Sequence, residues 1–89
     1  MQAPETCNEA TLRDLVDAGA IRAVQVVAQG DAWCMEIQVG TAWRRLRSKR
    51  GPIRWWKSLD RLARWLRDEI GIAEWSVDAR QYQPAQRSV

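Results

Sequence analysis

The sequence predicts an α+β fold: a short N-terminal helix, a three-stranded antiparallel meander, a C-terminal amphipathic helix packed on that sheet, and a final short strand. Three observations carry the expectation. Apolar and polar side chains alternate in three consecutive runs, a dipeptide containing Gly separates each run from the next, and the segments on either side repeat their apolar residues at helical spacing. With 89 residues the chain has room for one modest core and no second one. The expected organisation is a disordered leader over residues 1–8, a single α+β domain over 9–80 and a flexible tail over 81–89.

The leader is polar and carries Pro4. It lacks the basic start and apolar run of a signal peptide. From Asn8 the sequence NEATLRDLVDAG predicts a helix that Asn8 or Thr11 can cap, with Leu12, Leu15 and Val16 on one face and Gly19 as its stop. Ile21 to Gln29 and Ala32 to Val39 then alternate, separated by Gly30-Asp31, a two-residue hairpin signal. Gly40-Thr41 separates Val39 from Ala42, with Gly at the first turn position as a type II′ turn requires.

These two turns fix a register that can be checked against itself. The first pairs Ala28 with Trp33, Val26 with Met35 and Val24 with Ile37; the second pairs Met35 with Leu46, Ile37 with Arg44 and Val39 with Ala42. Both place Val24, Val26, Ala28, Trp33, Met35, Ile37 and Leu46 on one face, and a one-residue slip in either turn would destroy the agreement.

Lys49-Arg50-Gly51-Pro52 ends the third run, and Ile53 to Trp56 reads as a fourth strand or as the lead into a helix. Ser58 is placed to cap SLDRLARWLRDEIG, whose stripe is Leu59, Leu62, Ala63, Leu66 and Ile70, and Gly71 is placed to end it. IAEWSVDA alternates again and predicts the last strand.

Composition narrows the chemistry. The chain has no His, which removes the commonest general base and the commonest zinc ligand together. Cys7 and Cys34 match no metal-binding spacing, and two reduced thiols are favoured over a disulfide between them. No Gly-rich loop follows a strand, and no Ser or Cys has a His to activate it. The expectation is a protein that is not an enzyme, needs no cofactor or metal, and resides in the cytoplasm, with no run approaching the ~20 apolar residues of a membrane span.

Charge carries the functional signal. Net charge is only +3, but the segment from Arg44 to Arg67 holds ten bases and one acid, a net +9, whereas the other 65 residues hold four bases and ten acids, a net −6. Twelve of the fourteen bases are Arg, whose planar fork matches phosphate oxygens and guanine edges. A basic segment interleaved with Trp43, Trp55, Trp56 and Trp65 suits a polyanion. Arg44, Arg47, Lys49, Arg50, Arg54 and Lys57 are the candidate phosphate contacts. Lys49, Arg50, Arg54 and Lys57 crowd the start of the second helix, where a bound phosphate would relieve their unfavourable position.

The face opposite the predicted core carries Gln38, Trp43 and Arg45, the candidates for base or stacking contact. Glu36 faces Arg45 in the same register, and that cross-strand pair is a sufficient structural reason for both. The competing reading of the bases is a solvated surface balanced by Asp60, Glu36 and the acidic first helix. Trp33, Trp65 and Trp75 are expected to pack. Trp55 and Trp56, adjacent in an extended segment, cannot both point inward, so one of them or Trp43 is left exposed to stack on a base or fill a dimer interface.

From TLRDLVDAGAI to KSLDRLARWLRDEIGIAEWSVDA, about residues 11–82, the chain resembles the small plasmid-borne, partition-associated proteins of the ParC-like group. Leu12 to Ile21, the helix from Ser58 to Ile72 and Val77-Asp78-Ala79 are its most specific pieces, and none is a catalytic motif. The resemblance implies an accessory role in plasmid maintenance, partition or regulation, including regulation of transcription. A weaker architectural likeness links the Arg-rich WRRLRSKR and the following SLDRLARWL to the sheet-plus-helix DNA-binding domains of the AP2 and phage-integrase arm type. By that analogy Trp43, Arg45 and Arg47 would occupy the reading positions, although a central Glu36 and a terminal strand depart from the pattern. The expected partners are double-stranded DNA and a second copy of the chain, with a plasmid partition or replication protein as a further partner. Two alternatives stay open: an adaptor that docks an acidic protein of that kind, and a protein that binds RNA.

Overall fold

The computed structural model describes residues 5–84. In chain order its elements are β1 (Glu5–Cys7), α1 (Glu9–Asp17), β2 (Ile21–Gln29), β3 (Ala32–Val39), β4 (Ala42–Leu46), α2 (Leu59–Trp65), a π-helical extension (Leu66–Ile70) and β5 (Ser76–Asp78). The five strands form one sheet in the order β1-β4-β3-β2-β5. The predicted meander is its centre, and the two outer strands each run parallel to their neighbours.

The meander has the register that the two turns dictate. Val24 pairs with Ile37, Val26 with Met35 and Ala28 with Trp33, while Ile37 pairs with Arg44 and Val39 with Ala42. Gly30 and Gly40 each have φ of 62° and no non-glycine residue among the described residues has positive φ, so only the first position of each turn has positive φ, as type II′ geometry requires. A shift between Ile21 and Ala23 breaks the ladder at the start of β2.

Both helices are built by local signals. The Asn8 side chain accepts a hydrogen bond of 2.8 Å from the Thr11 N–H at the start of α1, and the Ser58 hydroxyl accepts one of 3.2 Å from the Arg61 N–H at the start of α2. Caps of this kind stabilise a helix by about 1 kcal/mol each. The sequence predicts one continuous α-helix as far as Gly71. In the structure the last turn widens instead, so that the Leu66 carbonyl accepts from both Gly71 and Ile72 N–H groups. Leu62, Leu66 and Ile70 remain buried through that change.

One face of the sheet is the core. All seven residues assigned to it are buried, and Leu12 of α1 packs against them together with Leu62, Leu66 and Ile70. Trp56 joins this cluster, and Trp65 and Trp75 pack on its margin. The opposite face carries no helix in that cluster and presents its polar side chains outward.

Two boundaries differ from the sequence reading. Glu5–Cys7 fall in the expected leader yet form β1, paired with Arg44–Leu46, and the Cys7 side chain enters the core. Tyr82 and Gln83 fall in the expected tail, yet Gly30 bridges to Tyr82, the Gln83 N–H donates to the Gly30 carbonyl, and the Tyr82 ring stacks 5.0 Å from Trp33. The rest of the leader and tail, residues 1–4 and 85–89, lies outside the described residues.

Candidate nucleic-acid interface

The pleat of β4 divides the basic segment at once. Leu46 turns into the core, Arg44 lies on the same side at its margin, and Trp43 and Arg45 turn to the outer face opposite Gln38 and Glu36. Alternation carries Arg47 to that outer face as well. The chain then makes a tight excursion: the Ser48 N–H donates to the Pro52 carbonyl at 2.7 Å, the Gly51 N–H donates to the Ser48 carbonyl at 3.0 Å, and Arg47 bridges Ile53. Lys49 and Arg50 stand in solvent on this loop. Ile53 to Trp56 is neither a strand nor a helix lead but a bent extended segment, tied to β4 at Arg47 and to β3 by a reciprocal pair of 2.8 Å hydrogen bonds between Trp33 and Trp56.

Within the segment of ten bases, six have a carboxylate neighbour. Arg45 donates through Nε and Nη2 to one Glu36 oxygen at 3.1 and 2.9 Å. Arg54 Nη1 donates to Glu9 at 3.2 Å while its guanidinium lies 4.6 Å from one Trp56 ring centroid and 4.9 Å from one of Trp65. Lys57 pairs with Asp31 at 3.1 Å, Arg64 with Asp60 at 3.2 Å and Arg67 with Asp68 at 3.0 Å. The Arg44 Nε lies 3.7 Å from the Glu5 carboxylate, too far for a hydrogen bond, and is buried without one.

Among the described residues Arg47, Lys49, Arg50 and Arg61 have no carboxylate within ion-pair distance. The cluster expected at the start of α2 is therefore dispersed. Arg54 is drawn inward between α1 and the tryptophans, Lys57 is turned toward the β2–β3 turn, and Lys49 and Arg50 remain together on the loop with Arg47 at its base. Of the candidates for base or stacking contact, Gln38 and Trp43 sit side by side and half-exposed on the outer face, whereas Arg45 is held by Glu36.

Trp55 is the exposed member of the adjacent tryptophans, at 43% against 9% for Trp56. It lines a shallow hollow with Gln29, Ala32 and Lys57. Of these lining residues Lys57 is a candidate phosphate contact, and for Trp55 the signal in the sequence is the adjacent tryptophan pair, which has to split between inside and outside. The two outer-face acids are both occupied, Glu36 by Arg45 and Asp78 by Arg80 at 2.7 Å. Bonds from the Arg80 side chain and backbone N–H hold the Asp78 carboxyl down at about 2.

Five strands at about 4.8 Å spacing make a face roughly 19 Å across. That exceeds the ~12 Å width of a major groove. The analogy to a three-stranded sheet laid in the groove therefore stops at the meander, because β1 and β5 flank it on both sides.

Both cysteines are free and buried, Cys7 on the core side and Cys34 on the outer side, so the sheet itself separates them. Burial raises the pKa of each thiol, opposed by Arg44 and Arg47 at Cys7 and by Arg45 at Cys34. Among the described residues there is no group of three or more metal-ligating side chains, and no helix is long and apolar enough to cross a membrane. No curated protein and no solved structure is similar enough to the chain to count as a match. Residues 7–86 match the ParC-like family, which covers α1, the meander, α2 and β5 together, and the chain belongs to that family.

Proposed function

We propose that this protein is a small, non-enzymatic DNA-binding accessory factor of plasmid regulation or partition, acting as a homodimer. The observation that carries the reading is the group of Arg47, Lys49 and Arg50 at one end of the sheet, none with a carboxylate partner among the described residues. Two are presented on an exposed loop and the third stands at its base. Neutralising phosphates with such groups releases condensed counterions, and this makes affinity fall with log salt in proportion to the phosphates contacted. Arg44 and Lys57 each face one carboxylate, so they add little to the field that steers a polyanion, which comes from the loop. Plasmid maintenance enters through membership of the ParC-like family.

The test is the triple charge reversal Arg47→Glu, Lys49→Glu, Arg50→Glu, titrated with a mixed-sequence 30-base-pair duplex at several salt concentrations. Affinity is expected to fall for every sequence, and the log–log salt slope to flatten by about 2–3. Unchanged affinity would overturn the reading. Sedimentation at micromolar concentration tests the dimer.

One observation favours a second reading, an adaptor for an acidic partition or replication protein. Trp55 is exposed beside an apolar hollow, the kind of anchor that dominates protein interfaces. Heparin and unrelated DNA displace a nucleic-acid ligand, whereas a Trp-anchored protein contact survives moderate salt.

A further inference from the structure

We infer that the helix-free outer face of the sheet is a stacking platform for single-stranded DNA, with Trp55 and Trp43 as its aromatic contacts and Arg47, Lys49 and Arg50 tracking the phosphates. This rests on the DNA-binding reading and specifies the form of DNA. Four observations converge on it.

The first is width. A face roughly 19 Å across cannot enter the ~12 Å groove of a duplex, but it can receive bases that are already unstacked. The second is charge. Glu36 is neutralised by Arg45 and Asp78 by Arg80, so neither acid on the face repels a phosphate, and Arg47 adds a positive charge with no carboxylate partner among the described residues. The third is the position of the aromatics. Trp43 stands beside Gln38, and the Trp55 hollow lies on Ala32, six residues away on β3, or roughly 20 Å along the strand. The two rings thus mark opposite ends of the face, with Arg45 and Arg47 between them.

The fourth is chemistry. An exposed indole offers a π-face to any base, which gives binding that tolerates sequence, and Arg between aromatics holds the backbone that links those bases. The same Trp55 that would anchor a protein shares its hollow with Lys57, paired with Asp31, and follows in sequence a loop whose Lys49 and Arg50 have no carboxylate partner among the described residues. That charge favours a polyanion over a second copy of this chain, which carries +3, and the stacking geometry favours unpaired bases.

The experiment titrates the intact protein with a 20-nucleotide oligo(dT), a mixed-sequence 20-base-pair duplex and oligo(rU) of equal length, following tryptophan emission and the anisotropy of a labelled strand. Oligo(dT) is expected to bind at least tenfold more tightly than the duplex and to quench emission. Trp55→Ala should lose about tenfold in oligo(dT) affinity, Trp55→Phe should recover most of it, and Trp43→Ala should lose less. Far-UV circular dichroism checks that each variant is folded. Duplex binding as tight as oligo(dT), with Trp55→Ala without effect, overturns the platform and leaves the DNA-binding reading standing. Oligo(rU) binding as tightly as oligo(dT) overturns the assignment to DNA. Failure of all three ligands overturns platform and reading together.

Discussion

Arg54 shows how a base in a charged run can be committed to the fold. Its guanidinium bridges Glu9 of α1 and the faces of Trp56 and Trp65, so it joins both helices to the segment that succeeds the basic loop. The partners are 45 residues apart in sequence for the ion pair, and nothing in the local pattern announces them. The Glu36–Arg45 pair, by contrast, was readable, because the hairpin register alone brings them face to face. Arg54→Met keeps the aliphatic stem and removes the guanidinium. It is expected to lower stability by about 1–2 kcal/mol, the range of a partly desolvated cation–π contact plus a charged hydrogen bond. Urea unfolding measures that, and duplex affinity should change less than twofold in the same variant. A loss of affinity as large as that of Arg50→Glu would return Arg54 to the phosphate contacts.

The meander was legible in the sequence because period-two alternation and two Gly-led turns each specify it, and they agree. The outer strands were not legible in the same way. β1 is three residues of mixed polarity whose pairing with β4 is parallel and far along the chain, so neither turn chemistry nor periodicity marks it. The π-helical turn escaped because Leu66 and Ile70 sit at a spacing that an α-helix also satisfies. β5 was expected from its alternation, but only Ser76–Asp78 pair, beside Gln25–Val27, and Val77 stays exposed at 45%. The end of β5 is tied by Arg80, which donates to Asp78 through its side chain and its backbone N–H. The folded Asp78 carboxyl is depressed to about 2, below its ordinary 3.8. A depressed acid contributes stability above the unfolded value and loses it as pH falls through the folded value. The tie at the end of β5 should therefore contribute fully above about pH 3.8 and fade as pH falls toward 2, and a carboxyl titration followed by NMR should show Asp78 with a midpoint of about 2. Arg80→Ala should return it to the ordinary carboxylate range. An ordinary midpoint in the unaltered protein would show that the Arg80 contact does not form in solution.

At the scale of the molecule, the fold pairs acids of the first 36 residues with the basic middle. Glu5, Glu9, Asp31 and Glu36 supply carboxylates to Arg44, Arg54, Lys57 and Arg45, leaving the loop bases without a carboxylate partner among the described residues. The charge asymmetry was visible in composition; which bases it left free depended on contacts that only the folded chain creates. The same closure argues for one cooperative unit. Cys7 from β1, Leu12 from α1, and Leu62 and Leu66 from the C-terminal helix share a single cluster with the sheet, so no element keeps a core of its own. Tryptophan emission reports that cluster through Trp33 and Trp56, and far-UV circular dichroism reports the strands and helices around it. In urea the two signals should therefore trace superimposable curves with one midpoint and a slope of roughly 1 kcal/mol/M, as expected of a small two-state domain. Arg54→Met should move both midpoints together. A dichroism change that precedes the emission change would mean that α1 and β1 detach before the sheet opens, and that the Arg54 bridge fastens them to a core that stands without them.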